Sequence, residues 1–174
     1  YIDGAFREGE GAEFTVENPS DESIVETLSG VSGSQVEAAI ASARTAFDDG
    51  RWSNLTAKDR AAILLRFGEA MQARAERFTR LAIDEAGCPI SSSVMRAQVA
   101  TPLAQIPEII EYFLSLPEQE ENPIAMHERV GPWGAVQSLK RYTPIGVASA
   151  IAAYNVPLFT ALWKVVPGLI AGNS

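Results

Sequence analysis

Over the first thirty residues, apolar and polar positions alternate in short bursts. Phe14 and Val16, then Ile24, Val25 and Leu28, flank the turn-forming run Asn18-Pro19-Ser20-Asp21, which predicts two strands joined by a turn. The period then becomes helical. Ser34 and Glu37 have the spacing of a capping box, in which each side chain satisfies an otherwise orphaned backbone N–H. Val36, Ala39, Ile40, Ala43, Ala46 and Phe47 follow as one apolar stripe, with a stop at Gly50. Thr56 and Asp59 predict a second helix start. Its face, carried by Ile63, Phe67, Ala70, Met71, Phe78 and Leu81, runs to about Glu85 and is interrupted at Arg74, where a kink or break is expected.

Gly87-Cys88-Pro89 ends that stretch. A third helical region spans Ser91 to Leu116 and is crossed by Pro102 and Pro107, the latter read as a first-turn proline. Residues Pro117 to Met126 read as a polar loop, and His127 to about Ala152 as mostly extended. Within it, Ile145-Gly146-Val147-Ala148-Ser149-Ala150-Ile151-Ala152 is small and apolar on both faces, as a buried parallel strand would be. A last helix opens at Pro157. Leu158, Ala161, Leu162, Val165, Val166 and Leu169 form its stripe, with a kink expected at Pro167 and an end at Gly172. Ser174 stands where an alternating αβ chain would start its next strand.

Composition narrows the function. The net charge of −8 argues against nucleic acid, which needs clustered Lys and Arg. Glu118, Glu120 and Glu121, the densest acidic group, read as a solvated loop. The single cysteine, Cys88, excludes an intrachain disulfide and a multi-cysteine metal site, and it fits a reducing, cytoplasmic setting. Asp84 and Glu85 sit where an activated thiolate would want positive charge, so Cys88 reads as structural. His127, the one histidine, reads as a surface residue; no metal site is expected.

No basic stretch followed by an apolar run opens the chain, so no leader peptide is expected. The absent initiator Met points to residues removed upstream. Thr143 to Trp163 lacks charge and is long enough to span a bilayer, but Pro144, Gly146, Asn155 and Pro157 interrupt it. A buried strand and helix account for it without leaving Asn155 in hydrocarbon. The chain contains no G-x-G-x-x-G, no G-x-x-x-x-G-K-[ST] and no H-E-x-x-H.

What remains is the junction Ile151-Ala152-Ala153-Tyr154-Asn155-Val156-Pro157, where a strand gives way to a helix. Ligands of open αβ sheets bind at the carboxyl ends of strands, and a helix start there offers free N–H groups and partial positive charge. Asn155 in that place has two readings. It caps the helix, or its amide donates to a developing oxyanion.

Several runs resemble the aldehyde dehydrogenase superfamily. They are Pro144-Ile145-Gly146-Val147, Tyr154-Asn155-Val156-Pro157-Leu158, Leu162-Trp163-Lys164, Pro167 and Ala171-Gly172-Asn173, with Phe14-Thr15-Val16-Glu17-Asn18-Pro19, Ala46-Phe47, Trp52, Arg60 and Leu64-Leu65 upstream in family order. Ala153-Tyr154 departs from the commoner Pro-Trp and leaves the substrate class open. The resemblance implies an α/β fold: an N-terminal hairpin and helices, with the beginning of a Rossmann-like NAD(P)-binding domain. It divides the chain into a hairpin and helical part at 1–126, a strand-rich oligomerisation segment at 127–142, and an incomplete first strand–helix unit at 143–174.

The resemblance further implies Asn155 as the oxyanion-stabilising residue, and Ile151, Ala152, Ala153 and Tyr154 as one wall of an NAD or NADP site. The implied reaction is oxidation of a small-molecule aldehyde to a carboxylic acid through a thiohemiacetal and thioester. The implied assembly is a dimer or tetramer, without nucleic acid or membrane partners. By family order the nucleophilic cysteine, the general-base glutamate and the cofactor glycines fall beyond Ser174, so the chain alone is expected to be inactive. Two alternatives remain at this stage: a CoA-acylating semialdehyde dehydrogenase, and a non-enzymatic assembly module.

Overall fold

The computed structural model describes residues 1–132 and 134–174. The opening hairpin forms as the pattern requires. Strand β1 (Glu13–Glu17) pairs antiparallel with β2 (Ile24–Ser29), Phe14 facing Leu28, with an irregularity between Val16 and Glu17. The turn is closed by its own side chains: Asn18 Oδ1 accepts from the Ser20 N–H at 2.9 Å, and the Asp21 carboxylate accepts from the Ser23 N–H and hydroxyl.

Helix α1 (Gly33–Asp48) starts two residues earlier than the Ser34–Glu37 spacing predicts. The box is Ser32 with Gln35: Ser32 Oγ accepts from the Gln35 N–H at 3.2 Å, and Gln35 Oε1 accepts from the Ser32 N–H at 3.1 Å. The reason is tertiary. Gln35 is buried and its amide also bonds the backbone of Glu8 and Glu10, whereas Glu37 is exposed and has no such contacts to gain. The apolar stripe of α1 stays open, with Val36 and Ile40 both exposed.

Helix α2 (Ala57–Gln72) begins where Thr56 Oγ1 accepts from the Asp59 N–H, as predicted. The chain breaks at Ala73-Arg74 before α3 (Ala75–Ala86), which ends at Gly87. A short α4 (Ser93–Met95) runs through a wide turn, Arg96–Ala100, into α5 (Thr101–Ser115). In that turn the Thr101 N–H reaches back five residues to the Arg96 carbonyl. Pro102 can neither donate to the carbonyl of Gln98 four residues back nor tolerate it close, and the wide turn spans that position. Pro102, not Pro107, is therefore the first-turn proline, and Pro107 lies inside α5.

Helix α6 (Pro157–Ile170) carries Pro157 in its first turn and Pro167 inside, and Gly172 follows its end. The core lies where α2, α5 and α6 meet. Leu64, Val99, Leu103, Ile110 and Leu162 are buried there, and Ile106, Val166 and Ile170 are fully enclosed. Burying each such aliphatic side chain is worth roughly 1.5–3 kcal/mol, and this junction holds the bundle together.

Two expectations fail between the helices. The polar loop expected at Pro117–Met126 contains a strand, β3 (Gln119–Glu121), which pairs antiparallel with β6 (Leu139–Arg141); β4 (Val130–Gly131) pairs with β5 (Gly134–Ala135). The run Ile145–Ala152 forms no regular strand, and Ile145 and Ile151 are 91% and 79% exposed rather than buried. A parallel strand is buried only between neighbouring strands and helical layers, and although α1 approaches Gly146 at Arg44 and Phe47, among the described residues no strand lies beside this run. The parallel geometry is nonetheless started. The Ser174 N–H donates to the Gly146 carbonyl and the Ala148 N–H to the Ser174 carbonyl, both at 2.9 Å. Such a pair straddling Val147 is the hydrogen-bond unit of a parallel ladder. The architecture is α/β.

Candidate active site

The junction predicted from sequence is an exposed loop, Ile151 to Asn155, leading into α6. Without a ladder to hold it, three side chains hold its backbone at every second residue. Lys164 Nζ donates to the carbonyl of Ile151. The Ala153 N–H donates to Thr160 Oγ1 at 3.1 Å, and Thr160 Oγ1 lies 3.0 Å from the Val156 carbonyl, its own acceptor. Gln98 Nε2 donates to the carbonyl of Asn155 at 2.7 Å. Lys164 and Thr160 come from α6 itself, whereas Gln98 comes from the wide turn ahead of α5.

Val156, not Asn155, is the residue capping α6, and no side chain caps the helix start. Among the described residues the Asn155 amide has no hydrogen-bond partner, and the residue is exposed. The structure thus removes the capping role while leaving two amide N–H groups free beside a helix N-terminus, where anionic oxygen is stabilised. Ile151, Ala152, Ala153 and Tyr154 present small or apolar side chains to solvent, with Tyr154 94% exposed.

The base of the loop is fixed equally firmly. Asn173 Oδ1 accepts from the N–H groups of Ile145 and Gly146 at 2.8 and 3.1 Å, and its Nδ2 donates to the Gly168 carbonyl at 3.1 Å. Gly146 has φ +126°, and a Cβ there would lie 3.0 Å from the Arg44 guanidinium, so glycine suits the position doubly. At the same, C-terminal end of α6, Trp52 Nε1 donates to the Leu169 carbonyl at 2.9 Å and Arg60 Nε to that of Ile170 at 2.9 Å. Burial pulls the Arg60 guanidinium below its ordinary pKa, with Glu118 acting in the opposite sense.

Cys88 is buried in the helical core, as a structural residue would be, and is not presented to this loop. His127 is exposed, 3.9 Å from Glu128. Among the described residues no group of three His, Cys, Asp or Glu could hold a metal ion, and no helix is long and apolar enough to cross a membrane. Gln98, Thr160, Lys164 and Asn173 acquire roles that the sequence did not assign. Lys164 and Asn173 stand in runs that the sequence singled out, though without these roles, whereas Gln98 shows only as a buried polar residue among Met95, Val99, Leu103 and Ile106.

Comparison with known proteins identifies the family. The chain belongs to the aldehyde dehydrogenase family, whose model matches residues 6–174. It is 34% identical over 178 residues to the N-succinylglutamate 5-semialdehyde dehydrogenase of Burkholderia mallei, covering all of this chain and 33% of that protein. Its fold superposes on the aldehyde dehydrogenase KauB of Pseudomonas aeruginosa with TM-score 0.87 and 27% identity, covering 100% of this chain and 33% of the other. A P. syringae indole-3-acetaldehyde dehydrogenase mutant, solved in complex with NAD+ and IAA, matches with TM-score 0.85 and 28% identity over 100% of this chain and 33% of its own. The chain thus spans about a third of the length of these relatives.

Proposed function

We propose that the polypeptide carrying this chain is an NAD(P)+-dependent aldehyde dehydrogenase, in which Asn155 stabilises the oxyanion formed when a thiolate adds to the aldehyde carbonyl. The observation that carries the reading is the Asn155 amide itself: exposed, without a hydrogen-bond partner among the described residues, and beside a helix start with no side-chain cap. A preorganised donor aimed at developing charge lowers the barrier because it needs no reorganisation during the reaction. Ile151, Ala152, Ala153 and Tyr154 form one side of the cofactor site. NAD(P)+, when bound, supplies the hydride acceptor.

The attacking thiolate is not Cys88, which is 5% exposed within the helical core. The residues described here therefore hold an oxyanion donor and part of a cofactor wall, and by themselves turn over no aldehyde. The 127–142 segment, with its short exposed strands, serves self-association. The deciding experiment is aldehyde-dependent NAD(P)H formation by the full-length polypeptide and its Asn155→Ala variant. Loss of one oxyanion donor lowers kcat by about 10²–10³-fold. Unchanged turnover would remove Asn155 from the mechanism, and acyl-CoA formation would change the acceptor from water to CoA.

A further inference from the structure

We propose that Gln98 is a positioning residue for the oxyanion donor: from the wide turn between α4 and α5 it fixes the orientation of the Asn155–Val156 peptide, and with it the direction of the Asn155 side chain. The proposal rests on the reading of Asn155 given above. Gln98 is 5% exposed, and its Nε2 reaches the Asn155 carbonyl at 2.7 Å across 57 residues of sequence.

That carbonyl needs an outside partner. The first backbone bond of α6 is made one residue later, from the Thr160 N–H to the Val156 carbonyl. Asn155 therefore lies outside the helical ladder, and the run before it lies in no sheet. Val156 itself has φ −143° and ψ 63°, away from both the helical and the extended wells. A peptide placed so has no regular structure to stop it rotating, and rotation would carry the Asn155 side chain off its target. Gln98 supplies the missing restraint with a neutral amide. It can donate to a carbonyl in a buried place without the desolvation cost of a Lys or Arg. The turn that presents it is the wide one at Arg96–Ala100, an irregularity of the kind that often aims side chains at functional sites.

The test is a double-mutant cycle in the full-length enzyme, using Gln98→Met, which keeps the volume and removes the donor, with Asn155→Ala. Gln98→Met alone should lower kcat by about 10–100-fold, the scale of a small misplacement of a catalytic group. In the Asn155→Ala background it should cost nothing further, because there is no longer an amide to aim. A full additional loss in that background would mean that Gln98 only supports the fold, and the proposal would fall. Unchanged kcat in Gln98→Met, with Asn155→Ala impaired, would overturn the proposal and leave the oxyanion reading standing. Unchanged kcat in Asn155→Ala would overturn both.

A second measurement separates aiming from folding. In the full-length polypeptide, hydrogen exchange over residues 151–156 should quicken in Gln98→Met while core segments around Ile106 and Val166 keep their protection. Equal loss of protection throughout the core would count against the proposal.

Discussion

Arg60 and Ile170 are joined by a hydrogen bond of 2.9 Å from the guanidinium Nε to the backbone carbonyl, 110 residues apart in sequence. Arg60 also donates to the Leu55 carbonyl, and Trp52 reaches the neighbouring Leu169 carbonyl at 2.9 Å. The Ile170 carbonyl is one that the last turn of a helix leaves without a backbone partner, while that of Leu169 also accepts from the Gly172 N–H at 2.9 Å. Arg60→Met would keep most of the buried stem and leave the Ile170 and Leu55 carbonyls without their guanidinium donor, so the chain should lose about 2–4 kcal/mol of stability. Arg60→Lys should recover only part, because a point ammonium cannot reproduce the guanidinium fork. Urea unfolding of the three proteins measures this; equal midpoints would show that water replaces Arg60 at no cost.

Asn173 joins α6 to the start of the 145–152 run through both ends of its amide. Asn173→Asp keeps an acceptor for Ile145 and Gly146 and loses the donor to Gly168, whereas Asn173→Leu loses both. Amide exchange at Ile145 and Gly146 should therefore stay slow in Asn173→Asp and become fast in Asn173→Leu. Fast exchange in the aspartate variant as well would assign the clamp to the Gly168 bond instead.

Gly172 has φ +94°, and a Cβ added there would meet Pro144 Cγ at 3.2 Å and Arg60 atoms at 3.4 Å. Gly172→Ala carries backbone strain of about 1–3 kcal/mol and crowds the residues that meet the end of α6. Its melting temperature should fall, and Ser174 should lose its bonds to Gly146 and Ala148. An unchanged melting temperature would mean that the loop after α6 rearranges freely.

Acid should weaken the fold through a small set of surface carboxylates. A hydrogen bond from Arg44 holds Asp48 below the usual 3.8, bonds from Arg51 hold Asp49 below it, and bonds from Ser23 do the same for Asp21. A carboxylate whose folded pKa is depressed contributes stability above its unfolded pKa and loses it as pH falls through the folded value. Urea midpoints should therefore be flat from pH 7 to about pH 4 on this account and fall below that. All three carboxylates are exposed, so the change should be small and should shrink in high salt. Asp48→Asn should flatten part of it; an identical profile would exclude the Arg44 pair.

Local chemistry was readable wherever it decided the outcome. The Asn18–Asp21 turn, the Thr56 cap, the break at Arg74 and the first-turn Pro157 all depend on neighbours within a few residues. The α1 cap went to Ser32 because Gln35 is also bound by the N-terminal arm, a contact no local pattern contains. Ile145–Ala152 reads as a buried strand because its composition is that of a residue set covered on both faces; its exposure follows from the lack of a flanking strand among the described residues, which no local pattern encodes. At the site, the motif around Asn155 picked out the exposed amide that is proposed as the donor. Gln98 escaped because its partner is a backbone carbonyl 57 residues away, and a carbonyl leaves no mark in a sequence.

Ser174 bonds on either side of Val147, and α6 is the spacer that brings it there. The helix therefore acts as a length gauge. One residue added to its middle would turn everything after it by about 100° and advance it by about 1.5 Å, carrying Asn173 away from Ile145 and offering the wrong residue to Val147. Because side chains alternate across a strand, that single step would exchange the two faces of whatever pairs there. Fourteen residues of helix, pinned at one end by Arg60 and Trp52 and at the other by Gln98, thus set which residue meets Val147.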